Sequence, residues 1–366
     1  THGFGPAGQA AGNGTIGGMP SSKSEPAPKV IAASKRRSTS VTVHDVARVA
    51  GVSAMTVSRA VNTPDGVPEA TLAKVQQAIA KTGYVPNLLA GGLRSNKSRL
   101  VAALIPTLVG PVFSEIVQAL TVALSERGYQ LMLGQSGYAD SREDDLLGAI
   151  IGRRPDGIVL TGVSHSAEAR RRLLAAGIPV VETWDLAPTP IDMVVGFSHT
   201  AVAEAVCRRL HAGGRRRLAV IAADDERAQR RTAAFLAAAR SLRLPKPAVY
   251  QVAAPAKLVG GRSGLRALLA QDPDIDGVFC SSDVLALGLL IEALVLGIKV
   301  PDRLAVIGFG DVYFARDLHP ALTTVRIDGT RMGEEAARCI VDRVEGRAVP
   351  ERVIDIGFTI VERASA

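Results

Sequence analysis

The chain has 366 residues, 47% of them hydrophobic and 21% charged, a composition typical of a soluble protein with two or three folded units. Its formal net charge is +8, and the excess is local, because residues 35–99 hold ten basic and three acidic residues whereas residues 100–366 are balanced. The three cysteines lack disulfide or metal spacing, no apolar run could span a bilayer, and no signal-peptide pattern is present, which predicts a reduced, cytoplasmic protein without a membrane segment.

The first 40 residues are rich in Gly, Ala, Ser and Pro and show no apolar periodicity, so we predict a disordered tail over residues 1–40. Lys35-Arg36-Arg37 stands near its end. This triplet is either a basic arm that touches phosphates or a solvated tail.

Residues 41–85 carry three short helical patterns with helix-turn-helix spacing. Thr42 followed by Asp45 is typical of a capped helix start, Gly51 ends that helix, and Ser53 can cap the next one. An ordinary small helical bundle is the alternative, but the basic balance and a polar face on the second helix favour DNA binding. The predicted elements are a helix up to Ala50, a second helix Ala54–Asn62, a turn at Pro64–Gly66 and a third helix Pro68–Lys81.

From residue 99 onward buried-strand patterns alternate with helical ones, which predicts doubly wound parallel sheets. About 260 residues of this pattern suggest two such units. The strand candidates are Leu100–Ile105, Tyr129–Gly134, Gly157–Leu160, Val180–Glu182, Leu218–Ala222, Gly277–Cys280 and Leu304–Ile307. The helical candidates include Phe113–Glu126, Thr200–His211, Arg231–Leu242 and Val284–Leu296.

An enzyme is the main rival class, because a doubly wound sheet can host a dehydrogenase. However, Gly308-Phe309-Gly310 lacks the third glycine of a dinucleotide loop, and the Gly260–Gly264 stretch does not clearly follow a strand. No Cys/His or Ser/His/Asp constellation stands out, so we predict no catalytic residue, no cofactor and no metal site. A transport binding protein is a second rival, which would need a secretion signal and no DNA-binding head.

One string in the head resembles the DNA-binding signature of the LacI/GalR family of bacterial repressors. It comprises Asp45-Val46-Ala47, Gly51-Val52-Ser53 and Thr56-Val57-Ser58-Arg59-Ala60-Val61-Asn62, followed by Gly83-Tyr84-Val85-Pro86-Asn87. The resemblance implies that Ala54, Met55 and Arg59 read base edges in the major groove, with Arg59 the strongest hydrogen-bonding reader. Matching positions that hold phosphates are Thr56, Ser58 and Asn62, and the predicted DNA-binding set is completed by Thr42 and Ser53.

Residues 86–98 match the hinge of that family, a segment that becomes helical only on operator DNA. The matching positions are Asn87, Ala90 and Leu93, with Leu93 as the wedge in the central minor groove. The neighbouring Gly91 and Gly92 depart from the helix formers common there, and each costs ~1 kcal/mol of helix propensity relative to Ala. Folding of the hinge should therefore depend on DNA, and a flexible linker describes the free state.

The chain up to about residue 361 is also similar to the family's sensor domain, which resembles type I periplasmic binding proteins. The implied fold class is α/β: an all-α head plus a two-lobed, doubly wound parallel-sheet domain over residues 99–366. The first lobe would hold residues 99–197 and 323–347, and the second would hold residues 198–322 and 348–363. Operator reading by a helix-turn-helix implies a homodimer, and the absence of heptads after the Ile354–Val361 strand region favours a dimer over a tetramer.

Phe113, Arg231 and Asp283 match effector-binding motifs of the family, and Trp184 is added as a fourth candidate from a stretch that resembles one subgroup of it. Phe113 and Trp184 would stack on the ligand, Arg231 would grip its oxygens in bidentate fashion, and Asp283 would accept its hydroxyls. The alternatives are core aromatics for the two rings, a solvated basic turn around Arg231, and a plain helix cap for Asp283. Ala234 departs from the glycine of the family's Arg-x-x-Gly-Phe motif.

Three stretches resemble the gluconate-utilisation repressors within the family, namely Gly134–Tyr138, Arg153–Gly162 and Val181–His199. The implied partners are double-stranded operator DNA and a small sugar acid, gluconate or a derivative, which releases the repressor. A sugar-responsive activator and a global carbon regulator of the same family are the alternatives within this class.

Overall fold

The computed structural model describes residues 41–85, 97–108, 113–138 and 140–366. They belong to two compact units, Thr1–Pro86 and Asn87–Ala366, each with its own hydrophobic core. The tail and most of the hinge, with Asn87, Ala90 and Leu93, lie outside the described residues, so these predictions stay predictions. No helix in the described ranges is long and apolar enough to cross a membrane.

The first unit is a bundle of three helices, which confirms the predicted helix-turn-helix head. The helices are α1 (Val43–Ala50), α2 (Ala54–Asn62) and α3 (Glu69–Thr82), with a 3-10 turn at Pro64–Gly66. The Asp45 carboxylate accepts hydrogen bonds from the Thr42 amide and hydroxyl, and the Ser53 hydroxyl accepts one from the Thr56 amide at 3.1 Å. Gly51 has φ 67°, a left-handed conformation that lets the chain turn between α1 and α2.

The second unit alternates strands and helices over its described residues. Its strands are β1 (Leu100–Ile105), β2 (Gln130–Gln135), β3 (Gly157–Thr161), β4 (Val180–Thr183), β5 (Met193–Gly196), β6 (Leu218–Ala223), β7 (Ala248–Val252), β8 (Gly277–Cys280), β9 (Ala305–Phe309), β10 (Thr323–Arg326), β11 (Val353–Asp355) and β12 (Thr359–Val361). Its helices are α4 (Ser114–Glu126), α5 (Asp140–Ile151), α6 (Ala167–Ala176), α7 (His199–Ala212), α8 (Glu226–Ser241), α9 (Leu258–Gln271), α10 (Asp283–Val295) and α11 (Gly329–Val344).

Two six-stranded sheets form the two lobes of this unit. The first has the order β11-β5-β4-β3-β1-β2 with all neighbours parallel, and the second has the order β12-β10-β9-β8-β6-β7 with only β12 antiparallel to its neighbour. Each sheet reverses its winding next to its first strand, β1 or β6, and such a switch point leaves a crevice at the carboxyl ends of the strands. The predicted α/β class with two doubly wound lobes is confirmed.

The predicted lobe boundaries are wrong at two strands. Strand β10 pairs with β9 and therefore belongs to the second lobe, whereas β11 pairs with β5 and belongs to the first lobe. The chain therefore crosses after β5, after β10 and after β11, and the predicted Ile354–Val361 region is two short strands in different sheets. Strands β10 and β11 have only short apolar patterns, and pairing with other strands determines the sheet to which each of them belongs.

Close helix packing in the second lobe depends on glycine. A Cβ at Gly261 in α9 would lie 2.0 Å from the carbonyl oxygen of Leu285 in α10, and a Cβ at Gly288 would lie 2.0 Å from that of Leu258. The two helices therefore touch backbone to backbone, an approach that a side chain would prevent. The cysteines Cys207, Cys280 and Cys339 are buried and free, as predicted.

Candidate functional site

The outer surface of helix α2 carries Met55 and Arg59, two of the three predicted base-reading residues, together with Asn62, which is predicted to hold a phosphate. Met55, Arg59 and Asn62 follow one another at helical spacing, so they share one face, and all three are exposed, Met55 at 57%. On the opposite side, Val57 and Ala60 pack into the core of the bundle. Burial of this inner face fixes the orientation of α2 and leaves the reading face open to solvent.

The remaining predicted DNA contacts of α2 are partly engaged within the helix. The Asn62 amide donates to the Ser58 carbonyl at 2.8 Å, and the hydroxyls of Ser53 and Thr56 lie 2.9 Å apart. Ala54, Thr56 and Ser58 are half-buried, whereas Thr42 and Ser53 are exposed. Their contacts with phosphates stay predictions, and local hydrogen bonds already hold three of these polar side chains in place.

The positive charge predicted for the head region comes mostly from its flanks. Residues 41–85 contain four basic and three acidic residues. The other six basic residues of the 35–99 segment stand on either side, at Lys35, Arg36, Arg37, Arg94, Lys97 and Arg99. Attraction to phosphates should therefore depend on the flanking segments as much as on the helices.

The cleft of the second unit contains a cavity, partly open to solvent, at the carboxyl ends of strands from both sheets. Phe113 follows β1, Trp184 follows β4, and Arg231 stands on α8, the helix after β6. All three are buried and line this cavity, so the structure brings together three of the four predicted effector residues. The cavity lies where the doubly wound architecture places ligands.

Arg231 is 5% exposed, and three neighbouring groups contact its guanidinium. Its Nη1 donates to Nδ1 of His199 at 3.0 Å, its Nη2 donates to the Ser281 carbonyl at 3.2 Å, and its Cζ lies 4.1 Å from the ring centroid of Phe309. Burial lowers the pKa of Arg231 to about 10, which leaves the group charged at neutral pH. Its Nε is buried and has no hydrogen-bond partner within the described residues.

The hydrogen bond from Arg231 determines which ring nitrogen of His199 carries the hydrogen, and His199 was not among the predicted site residues. An arginine nitrogen can only donate, so Nδ1 of His199 must accept and the hydrogen of the neutral ring sits on Nε2. Burial and the adjacent charge of Arg231 hold the pKa of His199 well below its usual value, so the ring is neutral. Its Nε2–H is buried and makes no hydrogen bond of good geometry in the part of the chain that is described, although the backbone of Trp184 acts on the ring and opposes the fall of its pKa.

The indole Nε1–H of Trp184 is a third buried donor without an acceptor among the described residues. The indole ring packs edge-on against Phe113, with centroids 5.1 Å apart, and against Phe197 at 5.8 Å. Trp184, His199 and Arg231 all line one cavity, and each thus holds a buried N–H group without a partner among the described residues. Because unsatisfied buried donors are costly, this cluster indicates a ligand that accepts hydrogen bonds.

The prediction that Asp283 accepts hydroxyl groups of the effector is wrong, because its side chain points away from the cavity. The residue is 1% exposed and does not line the cavity. One carboxylate oxygen accepts from the Thr324 hydroxyl at 2.5 Å and the other accepts from the Val312 amide at 2.9 Å. Burial raises the pKa of Asp283 to about 6, against the effect of these hydrogen bonds. It therefore ties α10 to the sheet, and Ser282 beside it caps the helix and lines the cavity.

A second, more polar cavity adjoins the first and shares Tyr138, Asp225 and Arg227 with it. It lies between the lobes, where three contacts cross. Arg230 pairs with Asp185 at 2.5 Å. The other two join Arg227 to the Thr161 carbonyl at 3.4 Å and the Ser164 hydroxyl to the Glu226 carboxylate.

His165 lies beside this polar cavity, buried between two carboxylates. Its Nδ1 lies 2.6 Å from Oε1 of Glu143, and its Nε2 lies 3.5 Å from Oε1 of Glu182. Burial opposes the imidazolium, but the two carboxylates outweigh it and raise the pKa of His165 to about 9. The ring is therefore charged at neutral pH and holds the loop after β3 to helix α5.

Several cavity residues were not predicted, although their positions carry a common signal. His199, Asp225 and Phe309 all lie at or just beyond the carboxyl end of a strand. In a parallel doubly wound sheet these ends meet at one edge, so polar or aromatic residues just after each strand are candidates. Strand β5 was not predicted, and His199 after it was missed for that reason.

Comparisons with known proteins find one matching family model in each of the two units. A family model described as "Bacterial regulatory proteins, lacI family" matches residues 42–87, and one described as "Periplasmic binding protein-like domain" matches residues 207–366. The chain is similar to the HTH-type transcriptional regulator GntR of Pseudomonas aeruginosa, with 36% identity over 88% of this chain and 95% of the relative. The Escherichia coli K12 protein of the same name is 32% identical over 87% of this chain and 96% of the relative.

Among solved structures, a LacI family transcriptional regulator from Silicibacter pomeroyi superimposes with a TM-score of 0.84. It is 32% identical and covers 89% of this chain and 99% of its own. The match therefore extends over the head and both lobes of the sensor.

Proposed function

Since this chain is a DNA-binding transcriptional repressor of the LacI family, we propose that its effector is a small sugar acid, gluconate or a close relative, which releases operator DNA when it binds in the cleft. The chain is accordingly a regulator rather than an enzyme, and the relatives that it matches are transcriptional regulators.

The observation that carries this proposal is the cluster of three buried N–H groups without acceptors, from Trp184, His199 and Arg231. A carboxylate is an acceptor-only group whose two oxygens offer about four lone-pair sites. It can take all three hydrogen bonds and also balance the charge of Arg231, which no described carboxylate contacts directly. A neutral sugar could accept the hydrogen bonds but would leave that buried charge unbalanced.

The rest of the cavity suits a short polyhydroxylated chain. Phe113, Trp184 and Phe309 provide apolar surface against which the carbon skeleton can pack. Asp225 and Ser282 line the same cavity and supply oxygen atoms for hydroxyl groups, the part first assigned to Asp283. The proposed clamp is therefore donor-rich around the carboxylate and richer in acceptors along the chain.

The proposed switch is a redistribution between two arrangements of the lobes. A ligand can shift this equilibrium only through its different affinities for the two arrangements. A hundredfold loss of operator affinity requires a coupling free energy of ~2.7 kcal/mol. The proposed functional unit is a homodimer whose heads occupy two half-sites about one helical turn apart.

The experiment that tests this proposal uses duplex operator DNA selected from a random pool with the full-length protein. Fluorescence anisotropy of the labelled operator complex is followed as gluconate or glucitol is added. Glucitol has the same carbon skeleton and the same five hydroxyls, but a sixth hydroxyl group on C1 replaces the carboxylate. We expect gluconate to release the DNA at millimolar concentrations or below and glucitol to have no effect. Equal responses to both compounds would contradict recognition of a carboxylate.

A further inference from the structure

The polar cavity beside the proposed carboxylate site has a strongly acidic lining. Five carboxylates line it, those of Glu143, Asp185, Asp224, Asp225 and Glu226. Arg227 is the one cation on the same lining within the described residues. We call this space the acidic compartment.

The cations near the acidic compartment are already engaged by protein groups. Arg230 pairs with both Asp185 and Glu226, and His165 pairs with Glu143. Arg227 lies 3.8 Å from Asp225, donates to a backbone carbonyl, and stands 5.6 Å from the ring centroid of Phe113.

Asp224 is the carboxylate least compensated by positive charge. Its Oδ1 accepts the Ala254 amide at 2.8 Å, and no cation of the described residues lies within ion-pair distance of it. A second anionic group on the ligand, besides its carboxylate, would find no free cation among the described residues of the compartment. It would also find no free helix N-terminus, because Asp225 already caps α8 by accepting the Ala228 amide.

The orientation of the ligand follows from which residues line which cavity. Trp184, His199 and Arg231 line only the inner cavity, whereas Tyr138, Asp225 and Arg227 line both. A sugar acid whose carboxylate occupies the three unpartnered donors can therefore extend its far end past these shared residues, toward the acidic compartment.

Resting on the proposed sugar-acid function, we infer that the acidic compartment makes the sensor specific for the unphosphorylated acid. A phosphate monoester at the far end carries about −1.5 to −2 charges at pH 7 and would enter among carboxylates. Hydroxyl groups in the same place would instead donate to those carboxylates. Asp224 is a specificity-determining residue on this account, and a reaction of the kinase class, which phosphorylates the acid, would remove the signal.

The test measures direct binding, which needs no operator. Full-length protein is titrated calorimetrically with gluconate and with 6-phosphogluconate at pH 7.5 and fixed ionic strength. We expect 6-phosphogluconate to bind at least about tenfold more weakly. In Asp224→Asn the Oδ1 can still accept the Ala254 amide while the charge is lost, so the ratio of the two affinities should fall severalfold. Asp274→Asn makes the same change at an exposed position just before β8, at the amino ends of the strands and away from the cavities. This control should leave the ratio of the two affinities at the wild-type value.

Each result decides a different claim. Equal binding of the two compounds, or a preference for the phosphorylated one, overturns the inference and leaves the sugar-acid proposal intact. A wild-type preference that Asp224→Asn does not reduce overturns the role of the acidic compartment. Absence of binding by either compound overturns both the inference and the proposed function.

Discussion

Replacing His199 by Asn separates its two ring nitrogens and so tests the proposed carboxylate site. The Asn Oδ1 occupies nearly the position of the imidazole Nδ1, so it can accept the hydrogen bond that Arg231 Nη1 now donates at 3.0 Å. The shorter side chain does not reach the position of Nε2, so the unpartnered donor disappears. Arg231 therefore stays in place while one of the three proposed ligand contacts is lost.

The size of the effect follows from the charge of the proposed acceptor. A hydrogen bond to a charged group contributes ~1.5–3 kcal/mol, and every 1.4 kcal/mol is a tenfold change in affinity, so gluconate should bind roughly 10- to 100-fold more weakly to His199→Asn. Stability without ligand should not fall by the same amount, because the lost N–H had no partner in the protein. Calorimetric titration gives the affinity, and thermal unfolding with and without gluconate gives the stability.

His211→Asn is the matched control for this experiment. His211 stands in the last turn of the same helix, and its Nδ1 likewise faces an arginine, Arg216, at 2.8 Å. The substitution makes the same chemical change away from the cavity and should leave gluconate binding at the wild-type level. Wild-type affinity in His199→Asn would refute the assignment of Nε2 as a ligand donor.

Three further predictions concern the head, a buried charge and a helix contact. Arg59→Ala should cost ~1–3 kcal/mol in operator affinity and relax specificity at one base pair, whereas Lys81→Ala should weaken binding alike for all sequences or not at all, as competition between operator variants would reveal. Because the folded pKa of His165 is raised from 6.5 to about 9, its stabilising contribution is complete below about pH 6.5 and is lost as pH rises through 9, so urea midpoints should fall across this window and do so less in His165→Gln. Gly261→Ala places a Cβ 2.0 Å from a backbone oxygen and should lower stability by several kcal/mol, while Gly148→Ala, with only the end of an arginine side chain at 3.5 Å, should be neutral or stabilising; equal unfolding midpoints for the two variants would contradict backbone contact between α9 and α10.

The parts of the fold that the sequence predicted are those with strong local signals. The capped helices of the head and the buried strands β1, β3 and β8 combine apolar runs with clear boundaries. Strand β7 was missed because it lies at a sheet edge with alternating burial, and α9 was missed because Gly260, Gly261 and Gly264 lower its helix propensity. Packing against α10 stabilises α9, whose local sequence has a low helix propensity.

Sequence position also predicted only part of the candidate site, because contacts with residues far away in the chain set the direction of some side chains. Phe113, Trp184 and Arg231 line one cavity, and their contacts with an effector stay predictions. Asp283 has the expected place after a strand, but its direction is set by Thr324 and by the Val312 amide, groups 41 and 29 residues away in the chain. The three unpartnered donors could not be read from sequence either, because an atom is left without a partner only by its surroundings in three dimensions.

The central claim, that Arg231 and its neighbours clamp the carboxylate of an inducing sugar acid, is tested most directly by operator release in Arg231→Ala. Arg240→Ala, at the exposed end of the same helix, serves as the matched control. Operator anisotropy is followed while gluconate is added to each complex. We predict that both variants bind the operator as the wild type does, that gluconate releases Arg240→Ala normally, and that Arg231→Ala stays bound at concentrations that release the wild type. Release of Arg231→Ala at wild-type gluconate concentrations would contradict the clamp.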